Sequence, residues 1–225
     1  MVDGSFCHDG HGLSVAGLIG AKSNNGLGVA GVVNSEDLEL VYARVLNCEG
    51  SGRSSGTLNA VAWLSGYDVP NVPSISEPVD IINLSLGGKS ISGCNDYEQG
   101  IYTNAMNNGV VVVVSAGNES TDAAMYAPAS CDDVITVGAT DNGGDLSQYS
   151  NYGEHVDVLA EGTNVDMLST TKYGNESLYF VGSGTSMSSP NIAGGVANLI
   201  LTYGKQKPYK IKAILKSNGY DYSKN

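Results

Sequence analysis

Three short segments of this 225-residue chain carry side chains that could share one reaction. The first, Asp9-Gly10-His11-Gly12-Leu13-Ser14-Val15-Ala16-Gly17, sets an imidazole at the start of a run of small residues that reads as a helix. In the second, Val110 to Val114 leads into Ser115-Ala116-Gly117-Asn118: a buried strand, a glycine, then a side-chain amide. That amide falls at the carboxyl edge of a strand, where α/β sheets place their sites. The third, Gly184-Thr185-Ser186-Met187-Ser188-Ser189-Pro190, runs into an apolar helix. Ser186 therefore stands at a helix N-terminus, beside a backbone N–H and a dipole that favours developing negative charge. A hydroxyl to attack, an imidazole to take its proton and amide donors for an oxyanion are the parts of acyl transfer. Each part alone has a plainer explanation: an N-cap serine, a structural histidine, a turn asparagine. Their conjunction points to nucleophilic catalysis. No Gly-x-Ser-x-Gly elbow surrounds Ser186, which counts against an esterase.

The elements that must hold these groups alternate along the chain. Residues 38–46, 80–84, 110–114 and 134–139 are short apolar runs rich in Val and Ile and read as buried parallel strands. Residues 57–65, 95–109, 187–203 and 208–217 read as helices. The second opens on Asn-Asp and stops at Gly109, and the fourth begins at Pro208. Strand–helix alternation implies an α/β, three-layer architecture: a mostly parallel sheet with helices on both faces. The length suits one large domain.

Composition removes whole classes of function. Asp and Glu number 23 against 11 Lys and Arg, a formal charge of −12, so nucleic acid and anionic membrane surfaces are not expected as partners. No apolar run approaches a membrane span, and Met-Val-Asp-Gly-Ser has neither the basic nor the apolar region of a signal peptide. Glycine is abundant at 30 residues and only 15% of residues are charged, which favours tight turns over coiled coil. Four cysteines, Cys7, Cys48, Cys94 and Cys131, form no Cys-x-x-Cys pair and leave three disulfide connectivities open.

With His-Gly-x-x-Val-Ala-Gly, Asn-Leu-Ser-Leu-Gly-Gly (83–88), Ala-Gly-Asn (116–118), Ser-Asn-Tyr-Gly (150–153) and Gly-Thr-Ser-Met-x-x-Pro (184–190) in this order, the chain resembles the subtilisin-like serine proteases. The resemblance runs from about residue 8 to the last helix and is strongest to the secreted, disulfide-bearing bacterial branch. It implies a serine endopeptidase with Ser186 as nucleophile and His11 as general base. Asn118 and the Ser186 N–H would be the oxyanion donors. Gly50, Ser51 and Gly52 would pair with an extended substrate on one side and Ser85, Leu86 and Gly87 on the other. Ala116 and Gly117 would complete the wall of the primary pocket. It further implies a Cys94–Cys131 disulfide, and with it Cys7–Cys48, an extracellular location, peptide or protein substrates, and a monomer. No cofactor is expected to be required. Asn24, Asn25, Leu27 and Val29 lie where some relatives bind structural calcium, though a plain Asn-Asn-Gly turn is the favoured reading.

One part of the pattern is missing. The family's triad runs Asp, His, Ser, with the Asp well upstream of the His at the end of an early strand. Here ten residues precede His11. Asp3 and Asp9 match no triad motif, and Asp221 lies in a plain tail. The expectation is therefore a subtilisin-like domain over residues 1–225 that is N-terminally incomplete, lacks its early strand, and is weak or inactive as it stands. Loss of that carboxylate alone costs roughly 10⁴-fold in such triads. The competing expectation is a non-catalytic relative that binds peptides or serves as a scaffold. Leu13, Ser14, Glu161, Ser188, Ser189 and Asn191 depart from the family's usual residues, Leu13 being the one placed to disturb packing near the base.

Overall fold

A computed structural model of the chain describes residues 10–168 and 179–218. Helix α1 (His11–Gly20) is followed by a long stretch without helix or strand, then α2 (Ser54–Leu64), β1 (Ile81–Leu84), β2 (Gly88–Lys89) and α3 (Asp96–Asn107). Next come β3 (Val111–Ser115), β4 (Tyr126–Ala127), β5 (Ile135–Thr140), β6 (Val158–Glu161), β7 (Val165–Leu168) and β8 (Tyr179–Gly182). The described part ends with α4 (Thr185–Tyr203) and α5 (Pro208–Asn218). Strands β1-β3-β5-β6 form one sheet, in that order, with every pairing parallel. Two small antiparallel ladders, β2–β4 and β7–β8, lie outside it.

The valine run that makes β3 shows why the sheet is sandwiched. Period-two alternation sends Val110, Val112 and Val114 to one face, where they pack with Leu58, Val61 and Leu64 of α2 and Tyr102 and Ala105 of α3. Val111 and Val113 go to the other, against Ala193 and Val196 of α4 and Ile211 of α5. Helices on both faces make this the expected three-layer α/β architecture. Helix α3 begins on a full capping box: Asn95 Oδ1 accepts from the Tyr97 and Glu98 N–H groups while Glu98 reaches back to the Asn95 N–H. At the far end Asp157 receives Lys212 and Lys216 of α5 at 2.9 and 3.0 Å and the Thr136 N–H at 3.0 Å. Its side chain is 4% exposed, so α5 is tied to the start of β5 by a nearly buried carboxylate.

One expected strand does not form. Residues 38–46 are extended but belong to no sheet, and among the described residues 38–43 make no backbone–backbone hydrogen bond. A strand exists only as part of a ladder, and among the described residues no segment pairs with this one. Among the described residues strand β1 likewise pairs on one side, with β3. The Cys94–Cys131 disulfide is present. Cys48 is also disulfide-bonded; Cys7, like Asp3, Asp9 and Asp221, lies outside the described residues. Among the described residues no helix is long and apolar enough to cross a membrane.

Candidate functional site

The parallel register sets the site's position. Leu84 of β1 lies beside Val114 of β3, so the segments that continue them, 85–87 and 116–118, leave the sheet together at its carboxyl edge. Helix α4 starts there. Its interior proline, Pro190, has no N–H to give the Ser186 carbonyl four residues earlier. Ser85 Oγ supplies the missing donor at 2.8 Å. The same hydroxyl lies 3.0 Å from the Asn83 amide and 2.8 Å from Ser189 Oγ. One donation and two acceptances exhaust a hydroxyl, so Ser85 is fully satisfied and holds the first turn of α4 against the end of β1. Ser186 Oγ in turn donates to the Ser85 carbonyl at 3.3 Å.

Asn118 is exposed, yet its orientation is fixed. Its Oδ1 accepts from the Thr185 N–H at 2.8 Å and from Thr185 Oγ1 at 3.0 Å. A backbone N–H can only donate, so the atom facing it must be the amide oxygen. The Nδ2 group is thereby turned away from Thr185 and is available to an incoming oxygen. Thr185 Oγ1 also accepts from the Gly117 N–H at 3.1 Å, which joins the two loops. Below them the wholly buried Asn151 donates to the Ala116 carbonyl at 3.0 Å and to Glu119 Oε2 at 2.9 Å. It accepts the Glu119 and Thr121 N–H groups at 3.0 and 3.1 Å. Gly117 has φ +103, and a Cβ there would run into the Asn151 amide, so glycine is required at this turn.

His11 opens α1, half-buried, and α1 packs along α4. His11 and Ser85 line one end of the same large cavity. Leu13 is 41% exposed and lines the same cavity as His11. Ser14 turns inward and donates to the Leu168 carbonyl at 2.6 Å.

Gly50, Ser51 and Gly52 are exposed and lie in a turn organised by Asn47, whose Oδ1 accepts from the Glu49 and Ser51 N–H groups. Across the edge, Ser85 is buried, Leu86 half-buried and Gly87 exposed, with Ala116 buried and Gly117 half-buried beside them. In the 24–29 loop, Asn25 Oδ1 accepts the Leu27 N–H at 2.9 Å, and Asn24, Gly26 and Gly28 have positive φ, which is the chemistry of a plain turn. Among the described residues no group of three or more His, Cys, Asp or Glu side chains could hold a metal.

The sequence singled out Ser186 and Asn118 but assigned no part to Thr185 or Asn151, and it gave Ser85 a place in the substrate-pairing strand rather than the anchoring of α4 that the structure shows. Each stands inside a motif quoted above, so the signal was present. What was not legible is the partner, which lies 30 to 101 residues away along the chain.

Comparison with known proteins agrees with this arrangement. The profile described as "Subtilase family" matches residues 7–223. An extracellular basic protease of Dichelobacter nodosus is 39% identical over 85% of this chain and 31% of its own length. Proteinase T of Parengyodontium album is 39% identical over 83% of this chain and 57% of its own. The chain thus spans about a third to somewhat over half the length of these curated relatives. Among solved structures, a protease of Pseudoalteromonas arctica superposes with a TM-score of 0.84 at 36% identity, covering 94% of this chain and 64% of that one. A cold-adapted subtilisin-like serine proteinase superposes with a TM-score of 0.74 at 30% identity, covering 100% of this chain and 74% of that one. With profile, relatives and solved folds in agreement over nearly the whole chain, the protein belongs to the subtilase family.

Proposed function

We propose that this chain is part of a secreted serine endopeptidase and that Ser186, His11 and Asn118 carry its chemistry. The observation that supports this most directly is the double hydrogen bond from Thr185 to Asn118 Oδ1, which ties the Asn118 amide to the residue that precedes Ser186. In the reaction, the Ser186 Oγ–H proton passes to His11 as Oγ bonds to the scissile carbonyl carbon. The oxyanion that forms is held by Asn118 Nδ2 and the Ser186 N–H. Collapse breaks the C–N bond, and His11 returns the proton to the leaving amine. Water then repeats the sequence on the acyl-enzyme. Gly50 to Gly52 and Ser85 to Gly87 would flank the extended substrate through backbone hydrogen bonds, with Ala116 and Gly117 walling the primary pocket. On this reading an acidic residue orients His11, and neither Asp3 nor Asp9, both outside the described residues, is assigned to that part. The chain works as a monomer outside the cell. No cofactor enters the chemistry, and a calcium ion at 24–29 would serve stability alone.

The test is labelling with a fluorophosphonate probe of this chain and of a chimera carrying the upstream segment of the Dichelobacter nodosus relative. The chimera is expected to label rapidly and this chain slowly or not at all. Ser186→Ala abolishes labelling, a loss of roughly 10⁶-fold in turnover by the magnitude measured in subtilisin. Asn118→Ala lowers kcat of the chimera by about 10²–10³, again a subtilisin magnitude. Labelling that survives Ser186→Ala sinks the assignment. No labelling of any folded form turns the reading to a non-catalytic, peptide-binding relative.

A further inference from the structure

The loop that carries Asn118 is moulded on one buried side chain. Asn151 spends every donor and acceptor of its amide on residues 116–121: Nδ2 on the Ala116 carbonyl and Glu119 Oε2, Oδ1 on the Glu119 and Thr121 N–H groups. Its own N–H donates to the Gly117 carbonyl at 3.0 Å. Glu119 enters this arrangement through its side chain as well as its backbone. Its Oε2 accepts from Asn151 Nδ2 at 2.9 Å and from the Asn118 N–H at 2.8 Å. Two acceptances fill a carboxylate oxygen's two lone pairs. A Cβ on Gly117 would stand 2.8 Å from the same oxygen, so the carboxylate is folded back against that glycine. The Tyr126 hydroxyl lies near it too: burial first, and then the Glu119 carboxylate, push that hydroxyl's pKa above its ordinary value.

Ser120, next in the chain, has φ +53, a left-handed conformation unfavourable for a residue with a Cβ. It is held by its N–H to the Tyr149 carbonyl at 3.0 Å and by its hydroxyl to the Gln148 carbonyl. Strain that neighbours over-determine in this way collects at functional sites. An oxyanion donor must be fixed in two respects, the rotation of its amide and the place of its main chain. Thr185 fixes the first by holding Asn118 Oδ1. Asn118 is exposed, so burial does not fix the second. Glu119 does, because its carboxylate ties the Asn118 N–H to Asn151. Glu119 is itself exposed, and an exposed carboxylate turned inward gives up side-chain freedom that water would leave it.

We propose that Glu119 is a positioning residue for the oxyanion donor: its carboxylate, braced by Asn151, holds the Asn118 main chain so that the amide oriented by Thr185 meets the developing charge. The inference deepens the proposed function and rests on its reading of Asn118. Glu119 acts through Asn118 and not on the substrate. The task calls for an acceptor oxygen and not for a charge. A glutamine can put its carbonyl oxygen where Oε2 stands; an alanine has none to offer.

The test starts with the 225-residue chain, isotopically labelled at asparagine nitrogen. The Asn118 side-chain amide signal, assigned by its loss in Asn118→Ala, is expected to shift in Glu119→Ala and to stay near its place in Glu119→Gln, with circular dichroism unchanged in both. Fluorophosphonate labelling of Ser186 is then followed against probe concentration in the chain and in the chimera, which separates the first-order rate of bond formation from probe affinity. Glu119→Ala should lower that rate about 10- to 100-fold, below the effect of losing the amide itself, and leave affinity within about twofold. Glu119→Gln should lose no more than about threefold. In an Asn118→Ala background, Glu119→Ala should cost less than about twofold more, since nothing is left to position. A full loss in that background, an equal loss with glutamine and alanine, or an effect confined to affinity overturns the proposal. So does an Asn118 amide signal that Glu119→Ala leaves in place. If no form labels Ser186 while the amide signal moves with alanine and not with glutamine, Glu119 still sets Asn118, and it is the catalytic reading of Ser186 and Asn118 that falls.

Discussion

Strand β3 and residues 38–46 are both apolar runs of strand-forming residues, and they end in opposite conditions. β3 has β1 on one side and β5 on the other, and all five of its residues are buried. Residues 38–46 have helix α1 near one end and the Asn47 turn at the other but no ladder, and Val41 and Tyr42 are exposed. The difference does not lie in propensity. A strand is a property of at least two segments, and among the described residues only one of these runs has a partner. The site sits on the boundary between the two regions. Ser186, Asn118 and their supports grow out of the paired half, while His11 lines the cavity shared with residues 38–46.

Hydrogen exchange should show the largest contrast. Amides of residues 112–114 are expected to exchange at least about 10³-fold more slowly than those of residues 38–43, since the former open only with the domain and the latter have no backbone partner among the described residues. Comparable protection in both segments would mean that 38–46 is paired in solution and would remove the contrast.

A smaller effect is expected at the far end of the paired half. Asp157→Ala strips the Thr136 N–H of its acceptor and leaves Lys212 and Lys216 without a counter-charge. A buried partner removed in this way costs 3–5 kcal/mol when the remaining charge is trapped. Here Lys212 is 29% and Lys216 51% exposed, so water takes over part of the load and about 2–3 kcal/mol is expected by urea unfolding. Asp157→Asn keeps an acceptor for Thr136 and should cost less. Exchange should rise along β5 and α5 and stay unchanged at 38–43; a rise at 38–43 as well would mean that the two regions unfold as one unit.

The legible parts of the molecule were those whose cause is local. The valine run of β3, the Asn95 cap of α3, Pro208 at the start of α5 and the glycine-flanked Asn118 all announce themselves within a few residues. The Cys94–Cys131 bond was legible through resemblance alone, because four cysteines leave the connectivity open. The β7–β8 ladder and the roles of Thr185, Ser85 and Asn151 were not legible. A hydroxyl whose partner lies 67 or 101 residues away has no sequence signature until the fold brings the two together. Residues 38–46 differ for the converse reason: the local signal was good, and no neighbour for it lies among the described residues.

The smallest expected effect is also the most direct test of that last point, because it uses one substitution at two places. Val113→Ala removes two methyl groups from a wholly buried site on β3. At about 0.8 kcal/mol for each buried group, plus the cavity left behind, it should cost about 2–3 kcal/mol. Val41→Ala makes the same change where the side chain is 43% exposed and should stay within about 0.5 kcal/mol. Both are read as a shift in the urea midpoint at constant m-value. Equal costs would place residues 38–46 in the packed core and collapse the comparison.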